Sequence, residues 1–222
     1  KSIDTEGRAK IVMAADGAYS RFAKAIGGSK IEPKHYCAVI RAYYRGVEGL
    51  DRDNFIELHF LKDLLPGYFW IFPLPNGMAN VGVGMRSDVV RKQKVNLRER
   101  MCEVIERYPE LKDRFVNAEL VDDVRGFGLP LGSKKRRISG AGYMLLGDAA
   151  SLIDPFTGEG IGNALYSGWI AAHQAKQCLN SGDLSAAKML EYDRVVYDRL
   201  WDELRLGRRM QQLVKFPWLF NL

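Results

Sequence analysis

The chain's densest arrangement of reactive and ligand-binding residue types lies between residues 142 and 162. An apolar run, Gly142-Tyr143-Met144-Leu145-Leu146, ends in Gly147-Asp148-Ala149-Ala150. Asp154-Pro155-Phe156-Thr157-Gly158-Glu159-Gly160-Ile161-Gly162 then opens a long helical pattern. Glycines let a backbone approach a ligand closely, and a helix N-terminus offers free N–H groups and the positive end of a dipole. Asp148 falls at the C-terminal end of the strand-like run, where open α/β sheets place their ligands. These types in this order describe a site for an anion or an oxygen-rich cofactor. A second stretch, Gly67-Tyr68-Phe69-Trp70-Ile71-Phe72-Pro73, is aromatic and is followed by Asn80-Val81-Gly82-Val83-Gly84. A period of two puts Tyr68, Trp70 and Phe72 on one face and Phe69 and Ile71 on the other. Such a face serves equally as an ordinary core strand or as the wall of a cavity for a long apolar ligand.

Other chemistries find less support. Cys37, Cys102 and Cys178 are odd in number and far apart, which argues against a disulfide framework and for a reducing, cytoplasmic compartment. His35, His59 and His173 share no metal-ligand spacing with them, so no metal site is expected. The net charge of +6 gathers at residues 86–94, 134–137 and 205–209. Solvated basic faces account for it as well as phosphate-bearing small molecules or an anionic membrane surface do. No nucleic-acid-binding motif accompanies the charge, and nucleic acid is not expected as a partner. The polar start, Lys1-Ser2-Ile3-Asp4-Thr5-Glu6, has no signal-peptide pattern, and no apolar run reaches the length of a membrane span. A hydrophobic fraction of 47% in 222 residues is enough for a sizeable core.

The elements that must position these stretches follow from periodicity and turn signals. Residues 8–16 read as a short buried strand ending in Asp16-Gly17, and residues 18–27 as a helix closed by Gly27-Gly28. Turn signals at Glu48-Gly49, Leu65-Pro66-Gly67 and Pro75-Asn76-Gly77 divide an antiparallel sheet over residues 35–86. Residues 88–108 predict one helix stopped by Pro109, and residues 119–131 a returning strand. A helix over 160–179, rich in small residues, ends at Asn180-Ser181-Gly182, and Asp183 or Ser185 can cap the next. That last helix has a face of Leu190, Tyr197, Leu200, Trp201 and Leu204, interrupted by Asp193 and Arg194. The tail, Phe216-Pro217-Trp218-Leu219-Phe220, is apolar enough for packing on the domain or for peripheral membrane contact.

The motifs carry a resemblance. Gly147-Asp148-Ala149-Ala150 with Pro155-x-x-Gly158-x-Gly160-x-Gly162 resembles the second FAD-binding signature of the p-hydroxybenzoate hydroxylase-like flavoprotein superfamily. Asp16-Gly17-Ala18-Tyr19-Ser20-x-x-Ala23 resembles its Asp-Gly motif, with Ala23 where that superfamily often has arginine. The resemblance implies that Asp148 bonds the ribityl chain of FAD. It also implies that the loop with Pro155, Gly158, Glu159, Gly160, Ile161 and Gly162 approaches the flavin ring, and that Asp16 and Gly17 help hold the cofactor. Tyr68-x-Trp70-x-Phe72-Pro73 with the glycine-spaced strand resembles the geranylgeranyl reductase family, in which this segment lines the cavity for an isoprenoid chain. Leu190-Glu191-Tyr192-Asp193 and Leu200-Trp201-x-Glu203-Leu204 are similar to that family's C-terminal helices.

The implied fold is α/β (α+β): part of a Rossmann-like FAD-binding layer with an inserted antiparallel substrate sheet and C-terminal helices. Its divisions are residues 1–30 and 132–182 for the FAD-binding layer, 31–131 for the substrate domain and 183–222 for the helical region. The implied chemistry is reduction of isoprenoid C=C bonds, hydride reaching one carbon and a proton the other, with NADPH or another reductant as electron donor. No residue stands out as general acid; Glu159 is the candidate, although a loop glutamate is usually solvated. A flavin-dependent monooxygenase or halogenase is the alternative, because the halogenases' Trp-x-Trp-x-Ile-Pro run is similar to Tyr68–Pro73, with departures at Tyr68 and Phe72. A non-catalytic lipid-binding relative is the third. Flavoproteins of this type open with Gly-x-Gly-x-x-Gly after a strand; this chain has none, so it is expected to be the C-terminal portion of a longer flavoprotein and inactive by itself.

Overall fold

In the computed structural model the described residues are 7–27 and 31–216. They divide into two units. The first comprises the described residues before 31 with Pro130–Gly207, and the second comprises Ile31–Leu129 with the described residues after 207.

The first unit is built on a three-stranded sheet. β1 (Val12–Ala14) pairs in parallel with β9 (Tyr143–Leu145), and β9 pairs antiparallel with β8 (Ser139–Gly140). A parallel pair is the α/β signature expected here. β1 is shorter than residues 8–16 and is not buried as expected: it is an edge strand, and Val12 and Met13 are exposed. α1 (Arg21–Ala25) follows, capped by Ser20, whose Oγ accepts a 2.8 Å bond from the Ala23 amide. Ala23 is itself buried in this unit's core.

α5 (Ile161–Ser181) and α6 (Ala186–Leu213) supply most of that core. Gly182, in the left-handed region, ends α5, and of the two expected caps of α6 Ser185 is the one used. Asp183 Oδ1 accepts from the Ser185 amide and Ser185 Oγ from the Lys188 amide. The α6 core face is Met189, Tyr192, Val196, Leu200 and Leu204. Asp193 does not interrupt it as expected but is buried beside it, where Oδ2 accepts from the Ile138 amide at 3.0 Å. Leu190, expected on the face, is exposed.

The second unit is the antiparallel sheet. β2 (Tyr36–Arg45), β3 (Glu57–His59), β4 (Tyr68–Leu74) and β5 (Met78–Arg86) lie in the order β3-β4-β5-β2. β6 (Glu119–Leu120) and β7 (Arg125–Pro130) both pair with β2. The expected strand over 119–131 is thus two strands. β4 and β5 join through Pro75-Asn76-Gly77, with Asn76 and Gly77 both at positive φ, the conformation that Asn-Gly favours.

One face of the sheet is buried, with Phe69, Ile71, Val81, Val83 and Ala42 packed against Met101, Val104, Leu111 and Phe115. The helix expected over 88–108 is broken into α2 (Ser87–Gln93) and α3 (Leu97–Arg107). Lys94 takes a left-handed conformation and Asn96 caps α3 by accepting from the Arg98 amide. Pro109 does not stop a helix but starts α4 (Pro109–Phe115), at the first position, where a missing N–H costs nothing. Among the described residues no helix is long and apolar enough to cross a membrane. Of the apolar tail, only Phe216 lies within the described residues, and it is exposed.

Candidate functional site

In the first unit the Gly-Asp stretch forms a short turn of 3-10 helix, Gly147–Ala150, directly after β9. Burial pushes the half-buried Asp148 carboxyl above its ordinary range, and no hydrogen bond or cation offsets it. Its Oδ1 faces Gly160: a Cβ there would meet it at 3.2 Å and Ile153 Cγ1 at 3.0 Å. The turn is fastened from α5, where Ser167 Oγ accepts from the Gly147 amide at 3.0 Å and donates to the Ala164 carbonyl.

The loop 154–160 is held by Asp154. Its Oδ1 accepts from the amides of Phe156 (2.9 Å) and Thr157 (2.8 Å) and from Thr157 Oγ1 (3.0 Å). The Asp154 and Gly158 amides complete the turn by donating to Glu159 O and Asp154 O. Pro155 is buried beneath it. Sequence reasoning did not single out Asp154 or Ser167; the Asp-Pro dipeptide, a turn initiator, was the available signal.

Gly160 is the N-cap of α5 and supplies no side-chain cap. Glu159 substitutes: its exposed carboxylate accepts from the Gly162 amide at 2.8 Å. This gives Glu159 a capping task and takes the Gly162 amide out of the set that could face a ligand. Ile161 is exposed at the helix start.

Asp16 and Gly17 fall on α1's entry turn. Asp16 accepts from the Phe22 amide at 3.2 Å, and a hydrogen bond with Ser20 leads the causes that hold its carboxyl below the ordinary range. The structure thus shows Asp16 organising a short helix, with Gly17 in the left-handed region its turn requires.

In the second unit Tyr68, Trp70 and Phe72 share the face of β4 opposite Phe69 and Ile71 and are half-buried. With Phe60 they form a row of rings whose centroids are 5.6, 6.1 and 6.1 Å apart. Trp70 Nε1 donates to Asn80 Oδ1 at 3.1 Å. The glycine spacing of β5 now has a cause: the Trp70 indole is spread over Gly82, where a Cβ would stand 2.2 Å from Cζ2. Pro73 is not brought together with the aromatic row, because alternation turns it to the face of Phe69 and Ile71. It lies past the end of β3 on β4, where a proline forfeits no bond to that strand.

Residues 37–121, most of the second unit, match the model of the geranylgeranyl reductase catalytic domain. By that match the chain is similar to the geranylgeranyl reductase family over this stretch. It is 36% identical over 195 residues to a digeranylgeranylglycerophospholipid reductase of Thermoplasma volcanium, covering 87% of this chain and 48% of that protein. It is also similar to the crystal structure of a geranylgeranyl bacteriochlorophyll reductase-like protein from Thermoplasma acidophilum. There the TM-score is 0.83 at 30% identity, over 94% of this chain and 51% of the other. The flavin-dependent halogenase CmlS matches at a TM-score of 0.66 and 20% identity, over 87% of this chain and 35% of that one, a likeness of fold alone. The chain spans about half the length of the curated reductases it matches. Among the described residues no group of three or more His, Cys, Asp or Glu is placed to hold a metal.

Proposed function

We propose that this chain is part of a geranylgeranyl reductase-type protein and contributes part of the FAD site and the substrate wall of an oxidoreductase that reduces C=C bonds of an isoprenoid chain. The observation that carries the cofactor half is Asp148. A half-buried carboxylate that accepts no hydrogen bond fits a ribityl hydroxyl, which would donate to it and draw its pKa back down. Gly160 packs closely on Ile153 and on the Asp148 carboxylate, which keeps the loop beside that carboxylate. Bound FAD would supply the hydride, and NADPH or another reductant would reduce it. The chain's own residues bind and orient: Asp154 fixes the loop, Ser167 fixes the Gly147–Ala150 turn, and the N-terminus of α5 favours negative charge. Tyr68, Trp70 and Phe72 offer the apolar surface that a prenyl chain requires. The curated relatives' names, digeranylgeranylglycerophospholipid reductases, support a prenyl lipid as the substrate class. A cytoplasmic protein touching the membrane through its apolar tail suits such a substrate.

The test is a fluorescence titration of FAD onto the purified chain, followed by anaerobic incubation with dithionite and a prenyl lipid. Weak FAD binding is expected, lost by about tenfold or more in Asp148→Ala at an unchanged melting temperature. Equal binding by the variant would overturn the assignment of Asp148. Oxygen- and halide-dependent product in place of the saturated lipid would favour the halogenase reading.

A further inference from the structure

Asp154, which fastens the loop 154–160, is hemmed in by α6. Gly207 of that helix packs on the carboxylate itself: a Cβ there would overlap Oδ2 and stand 3.1 Å from both Cγ and Oδ1. A free aspartate could swing its carboxylate into another rotamer. This one is tied, because Oδ1 accepts from the Phe156 amide, the Thr157 amide and Thr157 Oγ1. Turning the carboxylate would release those bonds. Nor can α6 simply back away. Leu204, one turn earlier and buried, is pressed against Gly132, where a Cβ would stand 2.8 Å from Leu204 Cδ2. The Gly132 amide in turn donates to the carbonyl of Ile153, the residue before Asp154, at 2.7 Å. Earlier on α6, the buried Tyr192 hydroxyl donates to the Leu145 carbonyl at 2.7 Å, at the end of β9. Gly207 lies inside the helix and has no positive φ to explain it. Glycine weakens a helix interior relative to alanine, and what it provides here is room for the Asp154 carboxylate.

We infer that Gly207 is a positioning residue for the glycine loop. Its bare Cα seats the Asp154 carboxylate, so α6 sets the shape of a loop that lies far from Gly207 in the chain. The bearing on the cofactor rests on the FAD reading above: a loop displaced at Asp154 would carry Gly158 and Gly160 away from the place where that reading puts the flavin ring. Gly207 itself acts only through Asp154.

The test compares the full chain with its Gly207→Ala, Asp154→Ala and double variants, by amide hydrogen exchange and by FAD titration. Gly207→Ala should speed exchange at Phe156 and Thr157 by about tenfold or more and weaken FAD binding by a similar factor. Asp154→Ala should do the same by itself. With the carboxylate gone the methyl has room, so adding Gly207→Ala to that background should change either readout by less than about twofold. A defect of the helix alone would instead lower the melting temperature and speed exchange along α6 equally in both backgrounds, which overturns the inference. Unchanged exchange at Phe156 and Thr157 in Gly207→Ala also overturns it. Should Gly207→Ala not fold, the double variant decides: melting where Asp154→Ala melts supports the inference, and failing to fold overturns it. Failure of the FAD reading looks different: exchange would follow the expected pattern, supporting the inference, while no form of the chain bound FAD.

Discussion

Two glycines, Gly82 in the sheet and Gly162 at the start of α5, look alike in sequence and serve opposite purposes. At Gly82 the absent side chain makes room for the protein's own Trp70, and the Ile40 carbonyl crowds the same spot at 2.3 Å. At Gly162 a Cβ would meet only the Glu159 carboxylate oxygens at 3.7 Å, an ordinary contact. Three buried or half-buried carboxylates, Glu57 in the second unit and Asp148 and Asp193 in the first, differ in a related way. In the second unit Glu57 is held by both arms of Arg114, which keeps its carboxyl below the ordinary range. In the first unit burial raises the carboxyls of Asp148 and Asp193. Gly82 is consumed by the sheet's own packing, whereas in the Gly-Asp region Gly162 stays uncrowded and the Asp148 carboxylate accepts no hydrogen bond from the described residues. A glycine that its own fold does not need is what separates a candidate ligand site from a tightly packed element.

The largest test of this contrast is Gly82→Ala. The added methyl would overlap an indole and a backbone carbonyl, and only the first can be removed by mutation. We expect a loss of about 3 kcal/mol or more, not fully restored by adding Trp70→Ala, in urea unfolding. A loss below about 1 kcal/mol would break the comparison on the sheet side. Next comes Arg114→Ala, which deletes bonds to Glu57, the Glu48 carbonyl and the Gly49 carbonyl. About 2–3 kcal/mol should be lost at pH 7. Because the folded pKa of Glu57 is lowered, its contribution is present above the unfolded value of 4.5 and disappears as pH falls towards the folded one. The variant should therefore flatten part of the acid limb of the stability curve.

Asp193 has the opposite sign. Its folded pKa is raised, led by desolvation, so its favourable contribution is complete below the unfolded value of 3.8 and is lost as pH rises through the folded value. Asp193→Asn keeps an acceptor for the Ile138 amide and cannot ionise. Hydrogen exchange across α6 and β8 should then lose that fall in protection between acid and neutral pH; an unchanged pH dependence would show that Asp193 is not its source. The smallest effect is expected for Gly162→Ala. Stability should move by no more than about 0.5–1 kcal/mol, towards greater stability, because alanine favours the helix. FAD titration should nevertheless weaken. A destabilised variant would mean that this glycine, too, serves the fold.

Much of this was legible in the sequence because it is local. Period-two alternation alone placed Tyr68, Trp70 and Phe72 on one face, and the same rule, applied to Pro73, would have removed it from the row. The order of strand, Gly-Asp, proline and glycines marked the loop before α5. What was missed depends on partners distant in the chain or on positions where one residue type permits two outcomes. Asp193 reads as a break in an apolar face until Ile138, 55 residues away, supplies its donor. Pro109 forbids a helix interior but favours a helix start, so by itself it cannot say which. The break at Lys94 needs a left-handed lysine, which propensity disfavours, and is secured by the Asn96 cap that follows.

The loop held by Asp154 has a kinetic consequence. The bonds from Asp154 to Phe156, Thr157 and Gly158 and from Glu159 back to Asp154 close within six residues. Contacts of such short span form on a timescale of about 10–100 ns, far ahead of long-range sheet pairing. The loop can therefore take its shape early and keep it between visits of a ligand, so that binding there need not be slowed by waiting for the chain to order itself.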